Sequence, residues 1–557
     1  MSVEQVRVAV LGGGVGGLTA AHELAERGFD VTLYEASQRL GGKASSFRYE
    51  TEAGTLPGEH GFRYFPGFYR NLRDTLARIP RSDGGSVADN LVFTRETLVA
   101  SVSGGESLKQ TRTPSTLQEW MEAIRPVVGD GDLSTAEINH FQRRLLMFLT
   151  SGSLRREREL EYVTFWDFLD AGRRSATYRK YLAEITQALV AMHPTVASAR
   201  AICRIHVQLV LDQVDPDRPS ESVLNGPTSE VWIEPWVEYL QTLDVEFRTN
   251  APVTGIESDG ERITGVSIVE DEGPTTVTAD YYVAAVPVEV MAELLSPELL
   301  RAAPSLAGVR HLDTAWMNGL QFYLTADVPL THGHQAYVDS PWALTSISQR
   351  QFWDRGPFDL DACTDGTVRG VLSVNISDWK TPGVVYDRPA RECTPEEIKT
   401  EVWTQLRNHL NHESERLTDE MLHDWVLDPA IGRCDMTGEL TNSAPLLINT
   451  VGSLRHRPPA ASAAPNLVLA ADYVRTDTDL ATMESANEAG RRAVRAIVRR
   501  VGRGTRPDVW ELEEPGLFGA VKRFDDLAYR MGAPHPGDAE QGVRDAVRSL
   551  ILRSDRT

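Results

Sequence analysis

The chain has 557 residues, enough at roughly 150 per domain for three or four domains' worth of material. Its 41% hydrophobic and 24% charged residues argue against wholesale disorder, a fibrous repeat or a polytopic membrane protein. Seventy-nine acidic against 57 basic side chains leave a formal charge of −22, a field that repels polyanions and argues against nucleic-acid binding. Four scattered cysteines, Cys203, Cys363, Cys393 and Cys434, form no C-x-x-C pair and suit a reducing cytoplasm. The amino terminus runs directly into a strand pattern rather than a secretion signal. No stretch approaches the roughly 18 apolar residues of a spanning helix, so any membrane contact is expected to be peripheral.

The segment VAVLGGGVGGLTAAHEL, from Val8, reads as strand, tight turn and helix. Within it Gly12, Gly14 and Gly17, with Gly16 beside them, fit G-x-G-x-x-G, in which glycines permit the turn and let backbone approach a pyrophosphate. The following helix start offers free N–H groups and a positive dipole end to phosphates. A second strand, FDVTLYE, ends in Glu35, 23 residues after Gly12, where a carboxylate can accept bonds from an adenosine ribose. Together these predict dinucleotide binding.

The next loop, EASQRLGGKASSF, places Arg39, Gly41, Gly42 and Lys43 after the acid. This pattern resembles the flavin-dependent amine oxidase and phytoene desaturase superfamily, in which it packs near the FAD diphosphate and isoalloxazine. The resemblance implies FAD as cofactor, with Arg39, Gly42 and Lys43 among its contacts; Lys43 stands where the family usually has arginine. A second match lies in NLVLAADYVRTDTDLATMESANEAGRR, from Asn466. By the resemblance Asp472 contacts the ribityl or phosphate region, and a helix starting at Met483 and Glu484 presents amides to the flavin pyrimidine; Ala471 replaces the usual glycine. Amides aimed at that carbonyl favour negative charge on reduced flavin.

Between these ends, residues 230–268 read as helix, strand and a hairpin turned at Asp259-Gly260, and the resemblance makes Val253 the adenine contact. YYVAAVPVEV, from Tyr281, resembles the strand that returns to the flavin domain with an Ala-x-Pro ending. The expected fold is therefore α/β, a Rossmann-like, glutathione-reductase-like FAD-binding domain with an inserted α+β substrate domain. The FAD-binding domain would comprise residues 1–80, 225–295 and 440–503, the substrate domain 81–224 and 296–439, and a carboxy-terminal extension 504–557. Helical patterns such as INHFQRRLLMFL and YLAEITQALVAM fill about 114–214, and strand patterns fill 310–380.

The aromatic loop GEHGFRYFPGFYRNL, from Gly58, resembles the hydroxysqualene dehydroxylase and carotenoid desaturase branch, as do SPWALTSISQ and PLLINTVGSLRHRP. It supplies the catalytic candidates. His60 is a proton donor, acceptor or flavin-tuning group, or a hydrogen-bonded loop histidine. Arg63 stabilises reduced flavin or a pyrophosphate leaving group, or pairs with a carboxylate. Tyr473 walls the flavin or packs in the core. No metal-ligand spacing is present, and the basic run Arg491 to Arg506 reads as the solvated face of the last cofactor helix.

The expected activity is hydride transfer between flavin N5 and a small apolar, isoprenoid-like substrate, as a desaturase or dehydroxylase would perform. An oxygen-dependent amine oxidase is the alternative. The superfamily's amine oxidases often carry a lysine before a substrate-domain strand, and LDTAWMNGLQFYL has none. A non-catalytic escort protein is the remote reading. The carboxy-terminal GLFGAVKRFDDLAYRMGAPHP and DAVRSLILR would cap the substrate entrance, mediate contacts in a homodimer, lie on a membrane or pack on the parent domain. The sequence leaves monomer or homodimer open.

Overall fold

The computed structural model describes residues 5–102, 105–110, 133–214, 221–354, 356–412, 414–535 and 537. Strand β1 (Arg7–Leu11), helix α1 (Val15–Ala25) and strand β2 (Asp30–Tyr34) open the chain. A hairpin of Ser46–Thr51 and Gly54–Glu59 leads to helix α2 (Arg70–Arg78). A helical insert follows, with α3 (Thr135–Thr150), α4 (Ser153–Arg158) and the helix Ala199–Val214. Ser134 and Glu137 start α3 with reciprocal side-chain caps. The chain returns through β3 (Glu246–Arg248), a three-stranded meander over 253–277, and β4 (Tyr281–Ala284). A second insert carries β5 (Asn318–Leu324) and β6 (Gly370–Ile376) before the chain closes with β7 (Leu467–Leu469), α5 (Met483–Val501) and α6 (Gly519–Arg530).

The first sheet is parallel throughout, in the order β3-β2-β1-β4-β7. Val8 to Leu11 are buried in succession because helices cover one face and the meander with its neighbours covers the other. The order places β1 between β2 and β4, so the crevice beyond their carboxyl ends is the ligand position of such a sheet. Residues following β1 and β2, near the start, and β4 and β7, hundreds of positions later, share that edge.

A second sheet of seven strands runs Leu422–Leu427, β5, β6, Thr345–Ser348, His334–Tyr337, Glu96–Ser101 and Gly105–Gln110. All seven residues of β5 are buried. Leu320, Phe322 and Leu324 pack on one side with helix Pro395–Leu410, whereas Gly319, Gln321 and Tyr323 face the hairpin. There Gly319 N donates to His60 O at 2.7 Å, Glu59 N to Gln321 Oε1 at 2.8 Å, and Tyr323 Oη to Pro57 O at 3.0 Å. Strand alternation thus stitches the second sheet onto the loop that bears the catalytic candidates.

Two expectations are filled out and a third needs correction. YLAEITQALVAM is helical in two forms: a π-helical stretch, Arg179–Glu184, precedes Ile185–Val190, and Ala191 ends the run with φ of +51°. The hairpin turned at Asp259-Gly260 continues into a third strand, Gly273–Val277. Arg491 is not solvated but buried beside α1 and α2, 2.6 Å from Asp74 and 3.6 Å from Glu23. The first part of the expected helical region, 114–132, and DAVRSLILR at 545–553 lie outside the described residues. Among the described residues no helix is long and apolar enough to cross a membrane, and no three metal-ligating side chains cluster.

Candidate active site and cofactor cleft

The glycines after β1 divide by what surrounds them. A Cβ on Gly17 would lie 1.9 Å from Gly12 O, one on Gly16 1.9 Å from Ala470 O, and one on Gly12 2.8 Å from Ala285 O. Those three glycines let α1 close on the strand ends. Gly14 differs: the nearest atom to a Cβ there is Gly42 Cα, at 4.0 Å. Gly14 is also the N-cap of α1 and no side chain caps its first turn, leaving amides open to an anion. Gly41 N donates to Gly13 O at 2.8 Å, and Gly41 and Gly42 both hold positive φ, so this turn clasps the glycine loop.

Glu35 anchors the far end of the crevice. Its carboxylate accepts from Gly13 N at 2.7 Å and Ser37 N at 2.9 Å, leaving acceptor capacity for a sugar hydroxyl. Ala251 N donates to Glu35 O at 2.9 Å, which brings the start of the meander, with Val253 as its first residue, to the same end. Arg39 is exposed, makes no ion pair among the described residues, and lines a cavity of about 410 Å³ with Phe47, Arg48, Glu230 and Ile233.

Lys43 donates to the Pro445 carbonyl and stands 4.0 Å from Glu289 Oε1. Glu289 Oε2 is buried with no hydrogen-bond partner, and burial raises that carboxyl's pKa, with Lys43 opposing and Asp472 reinforcing the shift. Asp472 is half-buried and its carboxylate has no hydrogen bond or ion pair among the described residues. Its main chain is held from behind: Arg457 donates to the carbonyls of Asp472, Tyr473 and Val474. Arg457 and Arg200 both pair with buried Asp479, and Arg200 reaches Glu161 at 2.8 Å. This ion network ties the loop before α5 to the helical insert.

Thr482 caps α5, accepting from Ser485 N at 3.1 Å, and Met483 is its first residue. Glu484 turns away from the crevice. Fully buried, it accepts from Asn71 N, Asn71 Nδ2 and Leu72 N at 2.8–2.9 Å and so caps α2. Burial lifts its pKa to about 7 despite these donors.

Of the three catalytic candidates, His60 is the one paired with a buried carboxylate while its ring stays partly exposed. Its Nδ1 lies 2.5 Å from Asp428 Oδ2, and the ring is 16% exposed. Asp428 is buried and also accepts from Asn318 Nδ2 at 2.7 Å, and Asn442 in turn donates to Asn318. Arg63 is a structural pair instead: its guanidinium donates to Lys43 O and stands 3.9 Å from buried Glu59, and burial lowers its pKa. Tyr473 walls nothing, for its side chain is wholly buried in the core between meander and sheet with its hydroxyl unpartnered. Asn375 Oδ1, buried without a partner, faces Gly61, where a Cβ would meet it at 2.6 Å. Sequence reasoning missed Asp428, Glu289 and Arg457; Glu289, two residues past the Ala-x-Pro strand end, and Arg457, inside PLLINTVGSLRHRP, stood in recognised stretches, whereas Asp428 did not.

An uncapped helix start with an open glycine, a carboxylate at the end of the second strand, a buried Glu289 Oε2 without a hydrogen bond and an Asp472 carboxylate without a partner among the described residues fit a flavin dinucleotide. The fold and cleft define an FAD-binding oxidoreductase. The family model for flavin-containing amine oxidoreductases matches residues 15–498, and the chain belongs to that family. It is 27% identical to the carotenoid phi-ring synthase of Streptomyces griseus, over 94% of this chain and 93% of that protein. It is 29% identical to the zeta-carotene desaturase of Synechocystis, over 52% of this chain and 59% of that protein. Among solved structures, the cyclohexylamine oxidase of Brevibacterium oxydans aligns with a TM-score of 0.59, covering 90% of this chain and all of that one at 14% identity, a likeness of fold.

Proposed function

We propose that this enzyme oxidises or reduces a carotenoid-like isoprenoid, as a desaturase or dehydroxylase does. The near full-length likeness to a carotenoid phi-ring synthase carries this reading. FAD, when bound, supplies the acceptor or donor of the hydride. The companion proton falls to the protein. Asp428 holds Nδ1–H of His60, which leaves Nε2 to accept or return a proton, and the buried carboxylate stabilises the imidazolium that results. Glu35 binds the adenosine ribose, the Gly14 turn and α1 amides hold the diphosphate, and Asp472 accepts from ribityl hydroxyls. Arg39, Gly42, Lys43, Val253 and Met483 line the rest of the cofactor's path. A substrate of this class partitions into lipid, so the reading includes a peripheral membrane contact.

The test is anaerobic mixing of the yellow protein with carotenoid precursors and with amines. Bleaching of the oxidised flavin by an isoprenoid that gains a double bond, or return of colour to the pre-reduced flavin on mixing with an isoprenoid that loses its hydroxyl as water, supports the proposal. Bleaching by amines alone replaces it with the amine-oxidase reading. A protein that stays colourless with added FAD overturns both.

A further inference from the structure

Helix α6 is built inside out. Its polar residues face the protein: Asp525 is buried, accepting from Gly152 N at 2.9 Å and Arg155 Nε at 3.0 Å, and Asp526 accepts from Leu154 N at 2.9 Å. Lys522 pairs with Glu514 beneath the helix, and the Arg155 guanidinium lies 5.1 Å from the Tyr529 ring centre. Arg155 also donates to Ala533 O at 2.9 Å, holding the turn that follows.

The apolar residues face out. Val521 is 42% exposed, Phe524 62%, Leu527 55% and Met531, just past the helix, 77%. At about 100° per residue they form one stripe, and the exposed Arg523 and Arg530 run along a single border of it. The stripe is about 15 Å long at 1.5 Å per residue. Leu146 of α3, on which α6 packs, is also half exposed. A soluble helix ordinarily buries its apolar stripe; here four buried or half-buried polar contacts fix the opposite orientation.

We infer that α6 is a membrane-docking face that lays its apolar stripe into the interface of an anionic bilayer. Charge selects the occupant. The chain carries −22 overall, yet both acids of this helix are turned inward and its exposed charges are cationic, as an anionic surface requires. An antiparallel two-fold partner would bring the arginine border of each copy against that of the other. The inference rests on the peripheral contact proposed above and names its surface; it does not require a particular substrate.

The test is flotation of the full chain, loaded with FAD, on vesicles of phosphatidylcholine alone and of phosphatidylcholine mixed with phosphatidylglycerol. Wild type is expected to float with the anionic vesicles and to be released by salt. F524S/L527S should weaken binding by at least about tenfold. R523E/R530E should weaken it by at least about thirtyfold, since two cations at roughly 1 kcal/mol each are lost and two anions replace them. All these side chains are exposed, so flavin absorbance and unfolding midpoint should stay at wild-type values. Wild type that floats with neither vesicle, or F524S/L527S that floats as well as wild type, overturns the proposal. So does light scattering that shows a vesicle-indifferent dimer made monomeric by F524S/L527S. The assay uses no turnover, so an inactive or colourless protein would count against the flavin reading alone.

Discussion

The cofactor cleft and the His60 pair adjoin one another but are made of different materials. The cleft is shaped by backbone: glycines with no room for a methyl group, an uncapped helix start, and main-chain bonds from Gly13, Ser37 and Ala251 to Glu35. The pair is made of side chains delivered by separate segments, with Asp428 oriented by Asn318 and Asn318 by Asn442. A backbone site demands particular residues within a short run, whereas a side-chain site can draw its members from anywhere the fold converges. Substitutions in the first should therefore affect folding or cofactor retention, and those in the second turnover with the cofactor still in place.

The sharpest break is Gly17→Ala, because the new methyl would sit 1.9 Å from Gly12 O. A destabilisation on the order of 3 kcal/mol is expected, read as a lower urea midpoint and loss of bound flavin. Glu484 probes a side chain that serves the cleft only through structure. The folded protein holds its proton up to about pH 7, against 4.5 for the free carboxyl. The folded state therefore binds more protons in that window, and stability falls as pH rises through it, then levels off. The loss is on the order of 3 kcal/mol, and Glu484→Gln should remove this slope while lowering stability at every pH.

Asp428→Asn should lower turnover about a hundredfold, with the flavin spectrum and substrate KM nearly unchanged, since the imidazolium loses its buried anion. A loss of flavin in that variant would erase the distinction between the two regions. Gly14→Ala is the mildest. The backbone there, φ −74° and ψ −178°, suits alanine, and no protein atom lies closer than 4.0 Å. Apo-protein stability should stay within about 0.5 kcal/mol of wild type. FAD affinity should drop about tenfold in a titration, as the methyl enters the space of the diphosphate.

The same contrast explains what could be read before the fold was known. Gly12 to Gly17 and Glu35 announce themselves because strand, turn, helix and acid are consecutive and each has a local physical reason. His60 was visible as a residue type in a distinctive loop, but its partner Asp428 lies in an unremarkable stretch and becomes adjacent only when β5 brings the second sheet against the hairpin. Tyr473 had two readings for the opposite reason, since adjacency to Asp472 along the chain does not say which side of the loop its side chain takes, and the fold puts it on the core side. The basic run after Glu488 hid Arg491, whose charge is neutralised by Asp74 and Glu23 from helices near the other end of the chain. Nothing in the spacing of α6 showed which way its stripe points, because Gly152 and Arg155, which set its orientation, come from another part of the sequence.

The ion network behind the Asp472 loop also has a consequence for biosynthesis. β1 and the glycine turn emerge from the ribosome long before the rest of the cradle, which lacks its last wall until β7, Asp479 and α5 have been made and Arg457 and Arg200 have closed on that carboxylate. A nascent chain therefore exposes half a nucleotide site while the several hundred residues between are translated. Tight capture of the cofactor marks a polypeptide whose synthesis has passed α5.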